Sequence, residues 1–126
     1  MRLLLDTHAF IWFVDDSPQL GSKIKALIEN SASISISIAS IWEIGIKRSL
    51  NKLDFDVTME GIFEEIVNLY IALLEISKHN LIELERLPMH HRDPFERLLI
   101  AQAISEKMTL VSKDRHFNSY GVNVIW

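Results

Sequence analysis

Apolar and polar positions along this chain follow two periods that alternate from start to end. Residues 2–6, RLLLD, form a short continuous apolar run that stops at an acid, the pattern of a strand buried on both faces. THAFIWFV then reads as a helical turn capped by Thr7. In SPQLGSKIKALIEN, Leu20, Ile24, Leu27 and Ile28 recur at helical spacing behind a Ser-Pro start, so one helix is expected there. SISISIAS alternates strictly and is rich in β-branched residues, which predicts a strand. SIWEIGIKRSL and residues 58–69 follow as helices, and YIALLEI reads as a third strand. Ser77 caps a helix to about Leu84, and DPFERLLIAQAISEK is the clearest helix of the chain. TLVSKD is a fourth strand, Asp114 opens a short helical turn, and GVNVIW is a last strand. The polar stretch NKLDFDVT reads as a surface loop.

Strand and helix alternating in this way predict an α/β fold, a mostly parallel sheet with helices on both faces. The length, 126 residues, suits one domain over 1–126 with a single core. Cysteine is absent, which excludes a disulfide framework and thiolate metal sites and makes a reducing cytoplasm the expected compartment. The start MRLLLDTHAFIWFVDD has no signal-peptide pattern, and no apolar run is of membrane length. The net charge of −4 argues against a general nucleic-acid coat, but a local basic rim can still face a phosphate backbone.

In open α/β sheets, sites form beyond the carboxyl ends of the strands. Asp6 ends the first strand and Asp114 follows the fourth, so the two converge if those strands are neighbours. Carboxylates at close range stay ionised only around a cation, and oxygen donors without cysteine are the ligand set of Mg²⁺ or Mn²⁺. Each acid also has a structural explanation. Asp6 and Asp114 suit helix caps, and Asp93-Pro94 with Glu96 three residues on resembles a capping box. Local rules alone favour the cap for Asp93. Glu43 is harder to explain structurally, because Ile41, Trp42, Ile44 and Ile46 surround it on a helix apolar on nearly every face. A buried carboxylate is costly unless paired or bound to a cation, so a metal-facing role is expected for Glu43, with a salt bridge to an arginine as the alternative.

Lys47, Arg48, Lys52, Arg92, Arg97, Lys113 and Arg115 flank these acids, as do His8, His90, His91 and His116. An acidic centre with a basic rim suits a metal-dependent enzyme acting on a phosphate backbone, and Arg97, Lys113 and Arg115 are the candidates for holding RNA. Zinc is disfavoured, because adjacent histidines in an extended segment point to opposite sides. There is no Ser-His-Asp signature and no glycine-rich phosphate loop, with only 4 glycines in the chain. Trp12, Trp42 and Trp126 each lie in an apolar run and are expected in the core or at an interface.

LLLDTHAFIW, SIASIWEIGIKRSLNKL, LPMHHRDPFERLLIAQA and TLVSKDRHFNSYGVNVIW, in this order over nearly the whole chain, resemble the PIN-domain ribonucleases, and within them the VapC-like toxins of type II toxin–antitoxin systems. The combination is specific, although no single piece is. The resemblance implies a three-layer α/β/α sandwich, Mg²⁺ or Mn²⁺ held by carboxylates, and endoribonuclease activity. It assigns Asp6, Glu43 and Asp114 to the first, second and fourth acids. At the third, this chain reads DPFER where the group usually has DPFDR, so Glu96 takes the position and Asp93 adds an acid just upstream. The resemblance also implies a small antitoxin partner and a homodimer. Two alternatives stand beside it. One is a degenerate PIN-like module that binds RNA or protein without cutting. The other is a phosphatase of the haloacid-dehalogenase type, which is disfavoured because position 8 is His where that family needs a second Asp.

Overall fold

The computed structural model describes residues 1–90 and 92–126, so His91 lies outside the described residues. Among the described residues, five parallel strands form the sheet: β1 (Arg2–Leu5), β2 (Ser33–Ser37), β3 (Ala72–Leu74), β4 (Thr109–Val111) and β5 (Val124–Ile125), in the order β3-β2-β1-β4-β5. β1 is central, and its three leucines are completely buried. Leu3 and Leu5 point into one apolar layer and Leu4 into the other, as the two-residue strand period requires. At about 2 kcal/mol for each buried leucine, this short run anchors both layers at once.

The larger layer holds α1 (Thr7–Val14), α2 (Ser22–Glu29), α3 (Ile38–Ser49) and α4 (Met59–Asn68), with Phe10, Ile28, Ile44 and Ile62 at its centre. The smaller layer is built on α6 (Pro94–Ser105) through Leu99, Ile100 and Ala103, closed by Phe117 and Val122. α5 (Lys78–Arg86) packs along α6. Helices on both faces of a parallel sheet make the α/β/α sandwich expected from the sequence. No described helix is long and apolar enough to cross a membrane.

Four local expectations change. Residues 17–30 are not one helix: Pro18–Leu20 form a 3-10 turn, Gly21 adopts φ +79°, and α2 starts afresh at Ser22. The cap of α1 is Asp6, whose carboxylate accepts the Ala9 N–H at 2.8 Å, and Thr7 is the first helical residue. The 51–58 loop is anchored, because Phe55 is buried and the Arg48 guanidinium donates to the Phe55 and Val57 carbonyls. Of the core or interface expected for Trp42, the core is excluded: it is 61% exposed, with its ring edge-on to Phe95 at 5.3 Å.

A buried amide network joins α5 to α6. Asn80 and Gln102 are fully buried, and Gln102 Nε2 donates to Asn80 Oδ1 at 3.2 Å. Asn80 also completes a capping box with Ser77 and donates to Ser105 Oγ at 2.6 Å.

Candidate active site

The chain leaves β1 for β2 and β3 on one side and returns to β4 and β5 on the other. The carboxyl ends of β1 and β4 therefore bound the topological switch point of the sheet. Asp6 follows β1 at this point, and its N–H donates to the Val111 carbonyl of β4 at 3.0 Å. Burial raises the pKa of its carboxyl group. Hydrogen bonds from Ser112 and Ala9 and the charge on His8 oppose that shift, and the nearby charge on Asp114 adds to it. Ser112 links the two acids: its hydroxyl bonds Asp6 and accepts the Asp114 N–H at 3.0 Å.

Glu43 enters from α3, which follows directly on β2, and it is only 6% exposed. Both of its oxygens are engaged. Thr7 Oγ1 donates to Oε1 at 2.6 Å, and Lys47 Nζ lies 2.7 Å from Oε2. The base that pairs with this buried acid is thus a lysine one turn along the same helix. The Lys47 pKa is raised chiefly by Glu43, with the charges of Asp93 and Glu96 adding.

Glu96, on the first turn of α6, lines one cleft with Asp6, Thr7, His8, Glu43 and Lys47, and Leu99 and Phe117 form its apolar wall. Asp93 caps α6, its Oδ1 accepting the N–H groups of Phe95 at 2.9 Å and Glu96 at 3.0 Å. Asp114 caps the following 3-10 turn (Arg115–Tyr120), accepting the His116 N–H at 2.9 Å, with His116 Nδ1 at 2.8 Å. Exposed Lys113 and Arg115 line a neighbouring hollow of about 340 Å³ with Asp114 and Trp126. Arg97 is drawn into the fold, because its guanidinium donates to the carbonyls of Pro88 at 2.9 Å and Leu84 at 3.4 Å. That fixes the α5–α6 connection, while Lys113 and Arg115 stay exposed beside Asp114.

The donors suit Mg²⁺ or Mn²⁺ in kind, since all are carboxylate or hydroxyl oxygens. As the side chains lie, no three Asp, Glu or His among the described residues stand close enough to share an ion. The cleft between them is small, about 40 Å³. Sharing one ion therefore requires these side chains to rearrange, and Glu43 Oε2 is held by Lys47.

The PIN domain family model matches residues 3–123. The chain belongs to the PIN domain family. PIN domains are generally nucleases. This PIN domain has the fold of VapBC2 from Rickettsia felis, solved bound to a DNA fragment from its promoter, with a TM-score of 0.74 at 15% identity over 99% of this chain and 98% of that one. DNA-bound VapBC from Salmonella typhimurium gives 0.73 at 16% identity over 99% and 97%. FitAcB from Neisseria gonorrhoeae gives 0.68 at 14% over 98% and 96%. No curated protein matches the chain significantly.

Of the acids singled out in the sequence, Asp6, Glu43 and Glu96 line this PIN domain's cleft, and Asp114 lines the hollow beside it. Sequence reasoning missed the roles of Thr7 and Lys47. Thr7 has a local signal, a hydroxyl directly after the strand-ending acid. Lys47 has one too, four residues after Glu43 and so on the same helix face.

Proposed function

We propose that this PIN domain is a metal-dependent endoribonuclease that hydrolyses RNA phosphodiester bonds as the toxin of a toxin–antitoxin pair. The carrying observation is the meeting of Asp6, Glu43 and Glu96 in one cleft at the switch point, with Asp114 beside it. In this reading, Asp6, Glu43, Glu96 and Asp114 hold Mg²⁺ or Mn²⁺, with Asp93 shaping the site from the helix cap. The ion supplies an activated water and offsets charge on the phosphate. Ser112 and Thr7 hold Asp6 and Glu43 in their inward rotamers. Lys113 and Arg115 hold the RNA backbone, and Leu99 and Phe117 keep one side of the cleft dry. The whole chain, 1–126, acts as one PIN domain in the cytoplasm.

The likeness of fold to VapBC and FitAcB supports a small antitoxin as partner, and the VapC resemblance supports a homodimer. Co-purification with the product of the adjacent reading frame, with light scattering, tests both. For the activity, RNA ends are sequenced after induction in cells. New internal ends are expected with the parent protein and none with Asp6→Ala; the same ends with both would place the chemistry elsewhere.

The engagement of both Glu43 oxygens favours a second reading, a degenerate module that binds without cutting. Calorimetric titration with Mn²⁺ separates the two, since the degenerate module shows no specific heat and no change on Asp6→Asn.

A further inference from the structure

We propose that Lys47 is the resident counter-ion of the cleft and that a divalent cation enters by displacing its ammonium from Glu43. The proposal rests on the metal-dependent reading above. Asp6, Glu43 and Glu96 line a cleft of about 40 Å³ with His8 and Lys47, and the Lys47 ammonium lies 2.7 Å from Glu43. The buried Glu43 carboxylate needs a cationic partner, and among the described residues Lys47 is the one it has. Lys47 supplies one charge where a divalent ion supplies two, and both need the same carboxylate oxygen, Oε2. The other oxygen is held by Thr7, so Glu43 keeps its direction when the ammonium leaves. Lys47 is built to leave: its side chain is 38% exposed while that of Glu43 is 8% exposed, and its flexible stem reaches in from the solvent side. Its departure also makes room for an ion that keeps several waters.

The test is calorimetric titration of MnCl₂ into parent, Lys47→Met, Lys47→Arg and Lys52→Met proteins at low and high salt. Lys47→Met is expected to bind Mn²⁺ about tenfold more tightly at both salt concentrations, because a direct competitor is gone. Lys47→Arg is expected to bind more weakly, because a guanidinium grips a carboxylate with two hydrogen bonds. Lys52→Met reports the long-range effect of removing one charge, which salt screens away. In the same proteins, Mn²⁺ raises the thermal midpoint of Lys47→Met by more than that of the parent. Equal or weaker Mn²⁺ binding by Lys47→Met, or tighter binding by Lys47→Arg, overturns the proposal while leaving the metal site standing. If neither the parent nor Lys47→Met binds Mn²⁺ at millimolar concentration, the metal reading fails and the proposal falls with it. Lys47→Gln serves if the methionine variant does not fold.

Discussion

Thr7 and Glu43 are 36 residues apart in sequence, yet the Thr7 hydroxyl donates to the Glu43 carboxylate at 2.6 Å in a buried position. The bond ties the start of α1, just after the central strand, to the middle of α3. Thr7→Val keeps the shape and removes the donor, leaving a buried carboxylate short of one partner. Hydrogen bonds to charged groups contribute about 1.5–3 kcal/mol, so a loss of that size is expected in urea unfolding, with Thr7→Ser restoring most of it. A Thr7→Val protein as stable as the parent would mean that the bond does not hold in solution.

Asp6 gives a prediction with a definite sign. Its folded-state pKa lies above the ordinary carboxylate value, mainly through burial. The folded protein therefore binds this proton more tightly than the unfolded chain. The resulting stabilisation is fully present below the unfolded pKa and is lost as pH rises through the folded one. At neutral pH the unfolded chain carries Asp6 ionised while burial in the fold disfavours that form, so without divalent metal the group costs stability. Asp6→Asn, which can still cap α1, should raise the thermal midpoint by a few degrees at pH 7 in EDTA, and the gain should shrink towards pH 4. A gain that grows on acidification contradicts the burial account.

Arg97 and Lys113 should behave differently. Lys113→Ala, and likewise Arg115→Ala, should weaken RNA binding at low salt and flatten its salt dependence by about one unit of slope for each phosphate deprived of its cation. Arg97→Ala should leave that slope unchanged and lower stability by about 1–2 kcal/mol, because it frees two carbonyls and the α5–α6 connection. Filter binding over a salt series with parallel denaturant unfolding checks both.

What the sequence hid follows from these same residues. Asp6 was legible as a strand-ending acid, and Asp114 as an acid shortly past a strand, because the apolar run ahead of each marks where its strand stops. The order β3-β2-β1-β4-β5 was not, since no local pattern says which strands pair. The two arginines misled for a physical reason: charge is visible in sequence, but what the charge faces is not. Arg48 and Arg97 both face backbone carbonyls. The break in residues 17–30 needed the left-handed φ of Gly21, while helical apolar spacing runs straight through it.

Asp93 and Glu96 can be separated by substitutions that keep the cap. Asp93→Asn still accepts the Phe95 and Glu96 N–H groups, so stability should change by less than about 0.5 kcal/mol. Its Mn²⁺ affinity should fall by only a few fold. Glu96→Gln removes a charge that lines the cleft itself and should weaken Mn²⁺ by tenfold or more. Calorimetry on the pair would reverse the assignment if Asp93→Asn proved the more damaging.

The most direct test of a metal-dependent RNA-cleaving cleft is the single-turnover rate of internal cleavage of a long RNA in Mn²⁺, for the parent and Asp6→Asn, repeated with EDTA. Cleavage by the parent in Mn²⁺, its loss in EDTA, and a fall of at least about 100-fold in Asp6→Asn are expected, the scale of losing one key electrostatic contributor. Cleavage at the parental rate by Asp6→Asn, or undiminished cleavage in EDTA, would contradict it.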